Sequence, residues 1–154
     1  MARKPLSRGL RGKIVRSGRE FSEAMEALIV AEGEEAVDLC YAEMFELYSD
    51  LVDKVPKDTG RAAAGFHIDS EPTEWVPPPG DYEGKLPATT VANIARGAAL
   101  PKFSPLVISS NIEYLPALEN GHSRQAPSGF IAQALHRAAR RFEKRAAEWS
   151  AKRV

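Results

Sequence analysis

Residues 107–130, VISSNIEYLPALENGHSRQAPSGF, place four local signals one after another with almost no slack. Leu106 leads into Val107-Ile108-Ser109, a short apolar run of β-branched type, which reads as a strand. Pro116 inside a long helix would be costly, but the first turn of a short helix accepts it. Residues 116–119 therefore form one or two helical turns, with Gly121 at the left-handed C-cap. Residues 122–128 are a polar loop containing Pro127. Ser128 caps a last helix that opens at Phe130.

Working outward, the last helix runs from residue 130 towards the end of the chain. Phe130, Ala134, Leu135, Ala138, Phe142, Ala146 and Trp149 make its apolar stripe, and Arg137, Arg140, Arg141 and Lys144 face away. Its small alanines allow close approach to another helix. On the other side of the stretch, residues 65–70 (GFHIDS) alternate Phe66 and Ile68 inward with His67 and Asp69 outward. They read as a strand antiparallel to 106–109. His67 falls on the polar face, where exposure is the default.

Residues 20–54 show a helical period through Met25, Leu28, Ile29, Val37, Cys40, Met44, Leu47, Tyr48 and Leu51. Gly33 lies mid-pattern and marks a kink or a split. The stripe continues in phase across it, which favours one long, bent helix. Cys40 reads as a small buried hydrophobe rather than a reactive thiol. The helix ends at Val55-Pro56, because the residue before proline is driven out of helical geometry. Asp58 or Thr59 then caps a short turn over 61–64. Asp58-Thr59-Gly60 also spells part of an aspartic-protease loop, but the helical flanks and the missing second carboxylate exclude that chemistry.

Residues 71–88 contain Pro72, Pro77, Pro78, Pro79, Gly80, Gly84 and Pro87 and read as loop. Trp75 and Tyr82 within it are candidate contact residues for a partner protein. Folding back of Trp75 over the sheet is the competing reading. A short helix from Thr89 or Thr90 to Ala99 follows. The architecture is α+β: a long N-terminal helix and a C-terminal amphipathic helix packed on a small antiparallel β-sheet, with a long Pro-rich loop. Residues 1–19 form a basic arm, and 20–154 form one domain with a loop-rich insertion at 71–105.

Hydrophobic content of 44% and charged content of 27% are ordinary globular values, and the formal net charge is zero. The zero hides a segregation. Residues 1–19 carry seven basic residues and no acidic one, and residues 20–53 carry eleven acidic and no basic. Residues 137–154 return to basic. Either the basic ends lie along the acidic helix of the same chain, or opposite patches meet between subunits, head to tail, and close a ring. A single cysteine excludes an internal disulfide and fits a reducing compartment. The N-terminus shows no secretory pattern, and no apolar run is long enough to span a membrane. There is no metal-ligand cluster, no phosphate-cradling glycine motif and no nucleophile at a telling spacing. No cofactor and no catalytic residue is expected.

The order Val55-Pro56-Lys57-Asp58-Thr59-Gly60-Arg61, then a strand, then Tyr114…Glu119-Asn120-Gly121, then Ala126-Pro127 and an amphipathic helix resembles the tail-component family of long-tailed bacteriophages. These are the small tail-completion, minor tail or head–tail joining proteins of the neck. The resemblance spans residues 20–145. It departs from the family pattern at Ala62-Ala63-Ala64, where a larger apolar residue usually follows the arginine. It departs again at Pro127-Ser128-Gly129-Phe130, which is longer than the usual entry to the last helix.

What the resemblance implies is a structural virion protein. It would form a ring of copies, six as the expected number, between the portal-side connector or adaptor proteins and the tail tube or tail terminator. DNA would pass through the lumen, and the protein would stand in the host cytoplasm during assembly. Interface positions would be Lys57, Thr59, Gly60, Arg61, Trp75, Tyr82, Tyr114, Glu119, Gly121, His122 and Arg124. Segments 57–61 and 119–124 would meet at one end of the sheet, with Arg61 paired to Glu119. Two other classes compete. One is a cytosolic nucleic-acid-binding module using the basic termini, and the other a small enzyme with Glu119 and His122 as acid and base.

Overall fold

A computed structural model describes residues 8–119 and 129–152, with side chains described from residue 18 onward. The first helix, α1 (Arg8–Glu32), begins well before residue 20, so most of the expected basic arm is helical backbone. It stops at Glu32, and α2 (Glu35–Lys54) starts after a two-residue break. The expected single bent helix is thus two. Gly33 adopts φ +84°, a left-handed geometry that glycine reaches without a Cβ penalty, and its N–H donates to the Ile29 carbonyl at 2.8 Å. The stripe stays in phase because both helices bury it, folded back on each other. The Cys40 thiol on α2 reaches the Met25 carbonyl on α1 at 3.8 Å.

Helix α6 (Phe130–Lys152) completes this layer. Phe21 meets Phe142 edge to face at 5.9 Å, and Ser150 donates to Glu32 at 3.4 Å, so α6 runs parallel to α1. Asp50 pairs with Arg137 and Glu43 with Arg145, so it runs antiparallel to α2. Fully buried Ala134 and Ala138 allow the close packing. Against expectation, Arg137 and Arg141 do not face away. Both turn towards the acidic side of α2, Arg137 to Asp50 at 2.8 Å and Arg141 to Glu46 at 3.0 Å.

The other side of α2 carries the smaller elements. The turn α3 (Arg61–Ala64) leads into β1 (His67–Asp69), which pairs antiparallel with β2 (Val107–Ser109) in the register His67–Ser109, Ile68–Ile108 and Asp69–Val107. Phe66 and Ile68 are buried as the alternation requires. His67 is half-buried rather than exposed, and burial pushes its imidazole below the usual 6.5. The segment 71–105 is less loop-like than its composition suggests. Helix α4 (Leu86–Ala98) starts at Leu86, with Pro87 in the first turn, where a missing N–H costs nothing. It packs on β1. Asn93 is buried and donates to the Tyr48 hydroxyl at 2.9 Å and to the Phe66 carbonyl at 3.3 Å. Gly97 lets the helix touch the sheet, since a Cβ there would sit 2.8 Å from Ile68 Cγ2 and 2.9 Å from Phe45 Cε1.

Helix α5 (Leu115–Glu119) holds Pro116 in its first turn. The expected C-cap at Gly121 and the cap at Ser128 lie outside the described residues.

Replacing Gly97 by Ala should therefore lower stability by about 1–3 kcal/mol in urea unfolding, because the methyl overpacks a rigid contact. Gly84→Ala, where nothing lies within 4 Å, is the control with little change.

Candidate interface site

Pro56 to Arg61 forms a turn whose polar groups are spent on holding it. Lys57 donates from Nζ to the carbonyls of Asp53 and Val55 (3.2 Å for the latter), groups that the end of α2 leaves without helical partners. Burial lowers its pKa from the usual 10.5. Thr59 is exposed, yet its carbonyl accepts the Tyr82 N–H at 2.6 Å. Its hydroxyl lies 3.4 Å from the Arg61 N–H, a long contact. Gly60 (φ +79°), not Asp58 or Thr59, stands at the N-cap of α3. A Cβ at Gly60 would come within 3.0 Å of the Glu83 nitrogen, so the turn and residues 82–83 touch backbone to backbone.

Arg61 is the hub. Its Nε donates to the Pro77 carbonyl at 2.7 Å, its Nη1 pairs with Glu113 Oε1 at 3.2 Å, and its guanidinium stacks over the Tyr114 ring at 5.5 Å. Its side chain is only 12% exposed; the bond to Pro77 is partly buried, and the pair with Glu113 is open to solvent. Three segments distant in sequence are clasped by one planar cation. Tyr82 reinforces the Pro-rich loop by donating from its hydroxyl to the Pro78 carbonyl at 2.6 Å. Trp75 divides the two sequence readings between them. It packs edge to face on His67 at 5.1 Å and remains 48% exposed.

Glu119 corrects the sequence expectation most plainly. It is not paired with Arg61, whose carboxylate partner is Glu113. It is 0% exposed, and its two oxygens accept the N–H groups of Ile131 (2.7 Å) and Ala132 (3.1 Å). Those are first-turn donors of α6, which no helical carbonyl can satisfy. The Glu119 carbonyl also accepts the Gly129 N–H at 2.8 Å. Burial pushes the carboxyl above the usual 4.5 and outweighs the two amide bonds that pull it down. A carboxylate so occupied is a helix anchor, not an acid or base open to a substrate.

The structure thus brings together Thr59, Gly60, Arg61, Tyr82 and Tyr114. It leaves Trp75 on the sheet and sets Glu119 in the core. Gly121, His122 and Arg124 lie outside the described residues. Sequence reasoning missed Glu113 and Pro77 as partners of Arg61. A signal existed for Glu113, the acid adjoining Tyr114. None existed for a backbone carbonyl. Among the described residues no group of His, Cys, Asp and Glu could hold a metal ion, and no helix is long and apolar enough to cross a membrane. No family model, no curated protein and no solved structure matches the chain.

Two outcomes follow from this geometry. Arg61→Ala should cost about 2 kcal/mol and open residues 77–82 to proteolysis, with Arg61→Lys failing to restore protection because an ammonium cannot span all three partners. Glu119→Ala should cost about 2 kcal/mol, and Glu119→Gln less, since an amide keeps one acceptor. Because the folded-state pKa of Glu119 is raised, its linkage contribution is full below pH 4.5 and is lost as pH rises through the folded value. Glu119→Gln should flatten that part of the stability–pH curve measured by urea unfolding.

Proposed function

We propose that this chain is a structural virion protein of a tailed-bacteriophage neck, a ring component that joins or completes the tail at the head–tail interface. The observation that supports the reading is the contact of the first motif's Arg61 with Tyr114, the leading residue of the second, although the expected meeting with Glu119 does not occur. The Thr59-Gly60-Arg61 turn and the Glu113-Tyr114 segment, far apart in sequence, are locked together through the Arg61 guanidinium. A motif whose residues hold loops in place suits a scaffold that presents surfaces. Half-exposed Trp75 and exposed Thr59 are the contact residues left outward by this arrangement.

The partners would be copies of the chain in a ring, portal-side connector or adaptor proteins on one face, and tail tube or terminator proteins on the other. DNA would run through the lumen. The protein would reside in the virion and, during assembly, in the host cytoplasm. The charge pattern contributes differently from the sequence expectation. Arg137, Arg141 and Arg145 engage Asp50, Glu43 and Glu46 of the same chain, so these three are poor candidates for closing a ring or for gripping phosphates, whereas Arg140, Lys144 and Lys152 stay exposed.

Light scattering and negative-stain microscopy across protein and salt concentration test the reading. The expected outcome is a discrete ring of one stoichiometry. A monomer at every concentration, binding DNA with an affinity that falls steeply with salt, would overturn it in favour of the nucleic-acid module.

A further inference from the structure

An apolar groove of about 660 Å³ lies between the α1–α2 pair and the segment leading into β2. Phe21, Met25 and Ile29 of α1 form one wall, Met44 of α2 the floor, and Leu106 and Ile108 the other wall. Phe103 stands on its lip, 54% exposed and at φ +71°. A bulky residue in the left-handed region is strained. Glu26 lines the groove, and Glu23 and Asp38 are exposed on the same two helices. Lys102, on the Phe103 side, pairs with Glu34 at 3.7 Å.

The groove is apolar inside, has Glu26 at its edge and lies between two helices whose exposed residues include Glu23 and Asp38, so it fits a basic helix with one apolar side. The chain contains one. Residues 8–17 are helical backbone, hold Arg8, Arg11, Lys13 and Arg16 without an acid, and place Leu10 and Ile14 one turn apart. They cannot reach their own groove. Helix α1 is unbroken from Arg8 to Glu32, so residues 8–17 run on along the axis of the helix whose residues 18–29 are the wall. At 1.5 Å per residue this overhang is about 15 Å long, and the wall is roughly as long.

We propose that residues 8–17 of one copy lie in the α1–α2 groove of the next. The proposal deepens the ring reading and rests on it for closure. Such a contact joins unlike surfaces, so it repeats head to tail and closes wherever the rotation allows.

Two full-length proteins, both Cys40→Ala, provide the test. One carries Leu10→Cys or Ile14→Cys, the other Phe103→Cys, and they are mixed with a short bis-maleimide. Each protein has one thiol, so a heterodimer reports contact between copies. Parallel mixtures keeping the buried Cys40, whose thiol is pushed up to about 11, guard against misfolding of the alanine background.

The expected result is a cross-linked heterodimer whose yield falls several-fold with Glu26→Lys on the Phe103→Cys partner and with added salt. No heterodimer from either arm position overturns the proposal. If rings form without that cross-link, the arm-in-groove contact falls and the ring reading stands. If the cross-link forms in open chains only, the contact stands and the ring reading falls.

Discussion

A carboxylate at the head of a helix organises this molecule. Glu119 ends one short helix and caps the first turn of α6, so the central stretch and the last helix have a fixed relative position. Everything on α6 follows from that placement. Phe130 enters the core, Ala134 and Ala138 meet the other helices, and Arg137, Arg141 and Arg145 come level with Asp50, Glu46 and Glu43. A side chain that joins two helices in this way transmits order between parts that share no backbone hydrogen-bond ladder.

The charged residues show how burial changes the value of a contact. Exposed pairs such as Lys54–Asp53 contribute little. Glu43 is different. It is 0% exposed, and Arg145 meets it at 2.7 Å, while its second oxygen has no hydrogen-bond partner. A charge taken out of water needs its counter-ion, so this cluster fixes the rotation of α6 about its axis rather than adding much net stability. The segregation of acid and base along the chain is thus largely an internal device. The basic residues nearest the N-terminus lie outside it, as do exposed Arg140, Lys144 and Lys152, and the groove is the surface proposed for the former.

Legibility followed the range of the interactions. Strands, the 61–64 turn, the buried faces of 66 and 68, and the apolar side of α6 were readable because each depends on local period or turn chemistry. Gly33 was ambiguous because an in-phase stripe fits both a bent helix and a hairpin of two helices, and the choice rests on a single φ angle. Pro87 masked the start of α4, since its tolerance depends on which turn it occupies. The pairing of Arg61 with Glu119 fails for one reason. Sequence reveals which charges could pair, but burial decides which do, and a backbone amide or carbonyl competes as a partner without leaving any mark in the residue string.

The parallel run of α1 and α6 has a consequence for how the chain comes into being. Phe21 is synthesised early and Phe142 late, and the two rings meet edge to face in the finished core. While the intervening residues emerge, α1 and α2 can pair, but the side that will receive α6 stays open. Helix α6 therefore closes over α1 and α2 only after both have been made. The interval before closure is when this protein is most exposed to wrong partners, because apolar surface waiting for a distant segment is what misassembly uses.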